Sequence, residues 1–343
     1  MSKPGRALVF TATLFFFAVA GLVLWTGYLS LQGGNGGEIV DILIPRGATL
    51  NQVTHLLVEN GVVTRPKLFN ALLRITRGST KVRAGEFEFR KQMSSVAALK
   101  LLYHEEPVVH EVTIPEGWTI RQIAKLLADE QLVNEEKFVA LALGPEMPKR
   151  YKLTCPGAEG FLFPDTYKFS RVDGELKILE RMVSRFFETL TEETRKELKA
   201  NKWTVEQLVT LASIIEKETG VAEERALVSS VFHNRLKKRM RLQSDPTTIY
   251  GIPDFNGNLT REDLRRYSPY NTYVIQGLPP GPIASPGSAA LLAALHPAES
   301  DYLFFVASKE GQHIFTKTYG QHAREVEVHQ KRSLSRENRK KQH

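Results

Sequence analysis

The sequence predicts an α+β protein carrying a single N-terminal transmembrane helix, with its larger, later part mainly helical. Three observations carry that expectation. Ala7 to Leu29 runs for 23 residues without a charge. A strand–turn–helix pattern occurs twice, 70 residues apart. The rest of the chain alternates helical periodicity with Pro- and Gly-rich loops and closes on a β-hairpin pattern. The 343 residues, 42% of them hydrophobic, suffice for one large domain or two modest ones. The net charge of +8 suits an anionic partner, but part of the excess lies in the basic tail 331–343, so charge alone selects none. Cys155 is the only cysteine, which excludes an intrachain disulfide and a Cys-based zinc site. The nine histidines show no HExxH-type spacing, and the sequence calls for neither a metal nor a cofactor.

The elements follow in order. Residues 1–6 form a short N-terminus holding Lys3 and Arg6, and 7–29 is long enough, at about 1.5 Å per residue, to cross roughly 30 Å of hydrocarbon. The positive-inside rule places the N-terminus in the cytoplasm and the remainder on the outer side. Ala18-Val19-Ala20 resembles a signal-peptide cleavage site, but the apolar run continues past it, which favours an uncleaved anchor. Residues 30–38 are a Gly-rich linker. The repeat then begins: ILIPRGATLNQVTHLL from Ile42 and VTIPEGWTIRQIAKLL from Val112. Each copy has a strand, a Pro-x-Gly turn, a Thr in N-cap position and an amphipathic helix. With a helix from Pro66 to Arg74, a strand from Gly85 to Phe89 and a helix from about Ser94 to Tyr103, the first copy builds a small α+β module over 39–108. Its pattern resembles a LysM-like glycan-binding module; a spacer or packing domain is the alternative. The second copy, 109–135, opens a region running to residue 330. There, helices are expected over Glu175–Leu190 and Val205–Thr219, and a hairpin from Tyr302–Ser308 and His313–Thr316.

The helix over 205–219 carries the first chemical question. Thr204 and Gln207 have capping-box spacing, and Gly220 reads as the C-terminal stop. Glu216 and Glu218 fall about 80° to either side of Leu208, which lies on the apolar face, and Lys217 points to solvent. On opposite flanks, the two glutamates are poorly placed to act together. As ordinary boundary residues they would snorkel or pair with cations. A carboxylate gains nothing from the dipole at a helix C-terminus, however, which hints at another reason for one of them. Downstream, RLQSDPTTIYG (241–251), SPYNTY (268–273) and GLPPGPIASPG (277–287) mix rigid turns with amides, hydroxyls and tyrosines, a combination suited to gripping a sugar.

These motifs, with EGFLFPDTY, LASIIEKETG, VFHNRL and the HPA triplet at 296–298, resemble the YceG-like (MltG) endolytic murein transglycosylases over nearly the whole chain. The resemblance implies a lysozyme-like catalytic domain over 109–330 with Glu218 as the catalytic acid. It implies peptidoglycan glycan strands as substrate, a single-pass inner-membrane protein with its catalytic region in the periplasm, and peptidoglycan synthases (penicillin-binding proteins) as neighbours. Gln243, Tyr270, Asn271, Tyr250 and Tyr273 are the sugar-binding candidates. Glu216, Thr219 and Asp245 are supporting residues, with Asp245 expected to cap the turn before Pro246. A hydrolytic muramidase and a non-catalytic glycan-binding scaffold are the alternatives. A nucleic-acid partner is not expected, because no basic helix or aromatic–basic motif is present.

Overall fold

In the computed structural model the described residues are 4–31, 37–76, 82–308 and 311–331. The N-terminal apolar run folds as one helix, α1 (Pro4–Leu31). The side chains of residues 4–12, 14, 26 and 29–31 lie outside the described set. Among the described residues no helix is long and apolar enough to cross a membrane, so the spanning segment expected over 7–29 is not established by the structure. The described part of α1 nonetheless exposes Phe15, Phe16, Phe17, Leu24 and Trp25. Most of the linker and of the basic tail falls outside the described residues.

Two compact units follow from the chain path. The first runs to His110 and takes back Lys168–Asp173; the second comprises Glu111–Tyr167 and the chain from Gly174 onward. A boundary read along the sequence misses that returning segment. In the first unit, β1 (Ile39–Ile44) leads through a tight turn to α2 (Leu50–Glu59) and α3 (Pro66–Ile75), and β2 (Gly85–Arg90) leads to α4 (Ser95–His104). The strands pair antiparallel, with Ile42 opposite Phe87. Alternation along both strands turns Ile42, Ile44, Phe87 and Phe89 inward onto Val53, Leu57, Phe69, Leu73 and Leu102, a dry core beneath the helices. The returning segment is tied in by charge. Arg171 donates to the buried Glu86 at 2.5 Å, Glu86 also bonds His110 at 2.6 Å, and Arg46 bonds Asp173 at 2.9 Å.

The chain continues with β3 (His110–Thr113), α5 (Ile120–Asp129), α6 (Glu135–Leu143), α7 (Glu146–Tyr151) and β4 (Thr166–Phe169), β3 and β4 forming a strand pair. Then come α8 (Gly174–Thr189), α9 (Glu192–Ala200), α10 (Val205–Glu218), α11 (Arg225–Lys237), α12 (Asp245–Tyr250) and α13 (Ser288–Leu295). The hairpin β5 (Phe304–Ala307) and β6 (His313–Thr316) and the helix α14 (Tyr319–Val326) complete it. The duplicated signature folds alike in both copies. Gly47 and Gly117 take left-handed φ of 75° and 74°, and Thr49 and Thr119 each close a capping box with a Gln three residues on.

Helix α10 is the centre of the second unit, packed against α11, α12 and α13 with everything from Leu208 to Ile215 buried. Two of the motifs exist to seat it. Gly160 of EGFLFPDTY has φ +82°, and a Cβ there would stand 2.3 Å from Pro282 and 3.0 Å from Val209 on α10. GLPPGPIASPG, expected as a sugar-gripping loop, is instead largely buried under α10: Ser213 Oγ accepts from Ile283 N–H at 3.1 Å, and Ser285 exchanges backbone bonds with Gly117 and Trp118. The stop of α10 also differs from expectation. Thr219 swings to an extended conformation (φ −140°, ψ 132°) and ends the helix without a left-handed Gly220. Gly160→Ala is therefore expected to destabilise the fold by about 2–5 kcal/mol, from a strained backbone and overpacking together. Gly220→Ala, whose Cβ would meet nothing within 4 Å, should stay within about 0.5 kcal/mol. Urea unfolding of the two variants checks this, and equal effects would refute it.

Candidate active site

Glu218 is the last residue of α10, so its position follows from the register of that buried helix. Its partner comes from the turn before α12. Gln243 adopts a left-handed φ of 51° and donates its N–H to Thr272 O at 3.2 Å. That bend delivers the buried Ser244, whose hydroxyl donates to Glu218 Oε1 at 2.5 Å. Ser244 occupies the N-cap position of α12 but makes no capping bond with its side chain, which is spent on Glu218. Its backbone is fixed by hydroxyls instead: its N–H donates to Thr272 Oγ1 at 2.9 Å and its carbonyl accepts from Thr247 at 2.6 Å.

The carboxyl opens on a cleft of about 550 Å³ lined also by Arg235, Gln243, Asp245, Tyr273, Phe304 and His313. Burial pushes the Glu218 pKa up to about 7, with the charge of Asp245 adding to it. The Ser244 hydrogen bond and the neighbouring His313 and Arg235 pull the other way and are outweighed. Oε1 being held by Ser244, Oε2 is the oxygen left to exchange a proton. Asp245 does not cap the turn as expected; it is the first residue of α12, and its Oδ1 accepts from Tyr273 OH at 2.6 Å. Arg235 is buried with its guanidinium donating to Leu303 O and Leu242 O, both at 2.6 Å, and lying over the Phe304 ring at 5.1 Å. It locks the strand-side wall to the Leu242–Gln243 turn. His313 on β6 bonds Glu224 through both its backbone N–H and its ring, each at 2.7 Å. Thr219 Oγ1 donates to the same glutamate at 3.3 Å, so Thr219 holds the chain just beyond Glu218.

The structure divides the remaining sequence candidates. Gln243, Asp245 and Tyr273 share the cleft with Glu218. Tyr250 and Tyr270 do not: they pack on one another with ring centroids 4.8 Å apart, beside a second carboxyl, Glu159. Asn271 is turned inward, a correction to its sugar-binding assignment. Its amide nitrogen donates to the carbonyls of Asp263, Leu264 and Arg266 while its oxygen accepts from Thr248 and Tyr273 N–H, which uses its bonding capacity on the loop. Glu216 accepts from the Gly287 N–H at 3.1 Å, at the N-terminus of α13, a favourable place for a carboxylate. Lys217 is exposed, as expected, and its ammonium also donates to Gly117 O at 3.2 Å. Residues absent from the sequence reading of the site include Ser244, Arg235 and His313. A signal for Arg235 exists: Val228, Val231, Phe232 and Arg235 recur on the buried face of α11, and a cation on such a stripe needs a reason.

Helices bracing a half-buried carboxyl, its pKa raised towards neutrality, over a polar cleft define the class: a fold equipped to exchange a proton in that cleft. Comparison with known proteins then identifies its kin. The chain belongs to the YceG-like family, which it matches over residues 42–328. An endolytic murein transglycosylase of Bacillus subtilis is 34% identical over 298 residues, 82% of this chain and 82% of that protein. One of Streptococcus pneumoniae is 30% identical over 334 residues, covering 86% of this chain and 59% of that protein. The crystal structure of a YceG-like protein of Listeria monocytogenes is similar with a TM-score of 0.58 at 32% identity, covering 84% of this chain and 99% of that one.

In a carboxyl ¹³C NMR titration, Glu218 is expected to titrate near pH 7. Ser244→Ala, which removes a bond favouring the charged form, should raise that midpoint by about one unit. A midpoint near 4.5 in the wild type would refute the geometry.

Proposed function

We propose that this chain is an endolytic murein lytic transglycosylase that cuts glycan strands internally between N-acetylmuramic acid and N-acetylglucosamine. The observation that carries the reading is the desolvated carboxyl of Glu218, which opens on the cleft with one oxygen held by Ser244. Protonated, Glu218 donates through Oε2 to the glycosidic oxygen as the bond to C1 breaks through an oxocarbenium-like state. The carboxylate it becomes is stabilised by Ser244 and takes the proton of the muramoyl C6 hydroxyl, which attacks C1 and closes a 1,6-anhydro ring. The proton taken restores the acid and no water is consumed. One carboxyl group suffices, because the substrate supplies the nucleophile. Gln243 and Tyr273 line the cleft where the sugar would lie, and the charge of Asp245 favours a cationic transition state.

Asp245 also supports a second reading. A carboxylate in the same cleft as the acid is the arrangement a hydrolytic muramidase would use to activate water. Product mass decides between them, since an anhydro end is lighter than a reducing end by one water.

The surrounding organisation is read with this activity. Residues 7–29 of α1 serve as a single-pass inner-membrane anchor with the catalytic region in the periplasm, supported by the chargeless run, by Lys3 and Arg6 before it, and by the exposed Phe15–Phe17 and Trp25. Residues 39–108 serve as a LysM-like module and 109–330 as a lysozyme-like catalytic domain. Cutting nascent strands would end glycan elongation, which makes peptidoglycan synthases the expected neighbours.

Mass spectrometry of digested glycan strands tests the proposal. Wild type should release anhydro ends, and exclusively reducing ends would sink the transglycosylase reading in favour of the muramidase. Glu218→Gln should lower turnover by roughly 10³-fold with strand binding retained. Because the first step needs protonated Glu218, kcat/KM should fall about tenfold per pH unit above 7.

A further inference from the structure

A second cavity, about 930 Å³, lies in the same unit and is larger than the Glu218 cleft. The two are neighbours by construction. Glu218 and Asp245 line the first, while Lys217 and Pro246, one residue away on each strand of chain, line the second. Consecutive residues at the end of α10 and at the start of α12 thus line one cavity and then the other, so the two share the same short stretches of chain.

Its walls are of two kinds. Ile249 and Ile252 contribute an apolar side, and Arg121 and Lys217 contribute positive charge. Arg121 is exposed on α5, and among the described residues its guanidinium makes no hydrogen bond or ion pair. Two acidic residues also line it, the exposed Asp254 and the buried Glu159, which is already engaged: Glu159 accepts from the Ile120 N–H at 3.0 Å and from Tyr250 OH at 3.2 Å. Burial pushes the Glu159 pKa up to about 7, so Glu159 and Asp254 together leave the two cations incompletely offset near neutrality. A slot with an apolar wall and an uncommitted guanidinium fits an amphipathic anion. The N-acetylated sugars of a murein strand are uncharged; the negative groups the strand presents are the carboxylates of the peptides attached to its lactyl arms.

We propose that this second cavity is a peptide site, which receives the carboxylate-bearing peptide of the strand engaged at Glu218, with Arg121 pairing with a peptide carboxylate. The inference rests on the murein reading above and adds what that reading leaves open, that the enzyme selects strands by their peptides.

The test compares uncross-linked murein strands with the same strands stripped of peptide by an amidase, using the full chain and scoring anhydro ends. Wild type should cleave peptide-bearing strands with a KM lower by about tenfold, the order expected of one charge-assisted hydrogen bond. In Arg121→Ala the ratio of kcat/KM between the two substrates should fall towards one. Arg121→Lys, which keeps the charge without the fork, should retain part of the preference. A wild type without preference, or a ratio unchanged in Arg121→Ala, would overturn the peptide site while leaving the cleavage chemistry intact. Failure of the wild type to cleave either substrate would overturn the murein reading, and this inference with it.

Discussion

The short hydrogen bond from Ser244 to Glu218 is the interaction on which the rest of the cleft is organised. A carboxyl at the C-terminal end of a helix, withdrawn from water, is disfavoured in its charged form by desolvation and by the helix dipole alike. Left alone, it would hold its proton too firmly to return as a base. Ser244 supplies a donor to the charged form, and the opposed effects leave the group near neutrality, where it can both give and take a proton. That compromise requires Ser244 to stay where it is. The bent Gln243, the Thr247–Thr272 hydroxyl pair and the Arg235 bonds to Leu242 and Leu303 all fix the same turn.

Much of the local fold was legible because it obeys short-range rules. The capping boxes at Thr49, Thr119 and Thr204, the Pro-x-Gly turns and the amphipathic helices are all written within a few residues of one another. The site was legible only in part, for a physical reason. Gln243, Asp245 and Tyr273 announce themselves as polar groups in rigid loops, but whether a loop faces a cleft or the core depends on contacts far along the chain. GLPPGPIASPG looked like a binding loop and is instead packing beneath α10, because its prolines and Gly160 fit one another at close range. Asn271 looked like a sugar ligand and is instead the clasp of its own loop. His313 sat in a pattern that reads only as a strand; its bonds to Glu224 span 89 positions, which no local spacing could suggest.

Helix α12 explains why the tyrosine candidates parted company. It is one short piece, about 9 Å long, with Asp245 at one end and Tyr250 at the other. The first end faces Glu218, and the second is tied by the Tyr250 hydroxyl to Glu159. Glu159 also accepts from the first turn of α5, so one buried carboxyl joins the second copy of the repeat to the helix that frames the Ser244 turn. The second copy of the strand–turn–helix unit thereby becomes part of the scaffold around the Glu218 cleft, whatever the first copy does in the other unit.

Holding two carboxyls in this state has a thermodynamic consequence. Glu218 and Glu159 are each shifted from 4.5 to about 7, so between those values the native state binds protons that the unfolded chain has released. Stability is therefore fully present below about 4.5 and is lost as pH rises through 7, by roughly 3 kcal/mol for each group at the limit. The loss is greatest at and above neutral pH, where the charged forms must be accommodated. Glu159 is the informative member, since it performs no chemistry in the proposed reaction and yet carries the same penalty. Its retention as a buried acid makes sense if its two hydrogen bonds, to Ile120 and Tyr250, stabilise the junction of α5 and α12 by a comparable amount. On that account the carboxyl of the proposed reaction and its structural counterpart are poised by the same burial, and α12 is held at both ends by groups that exchange protons in the same pH range.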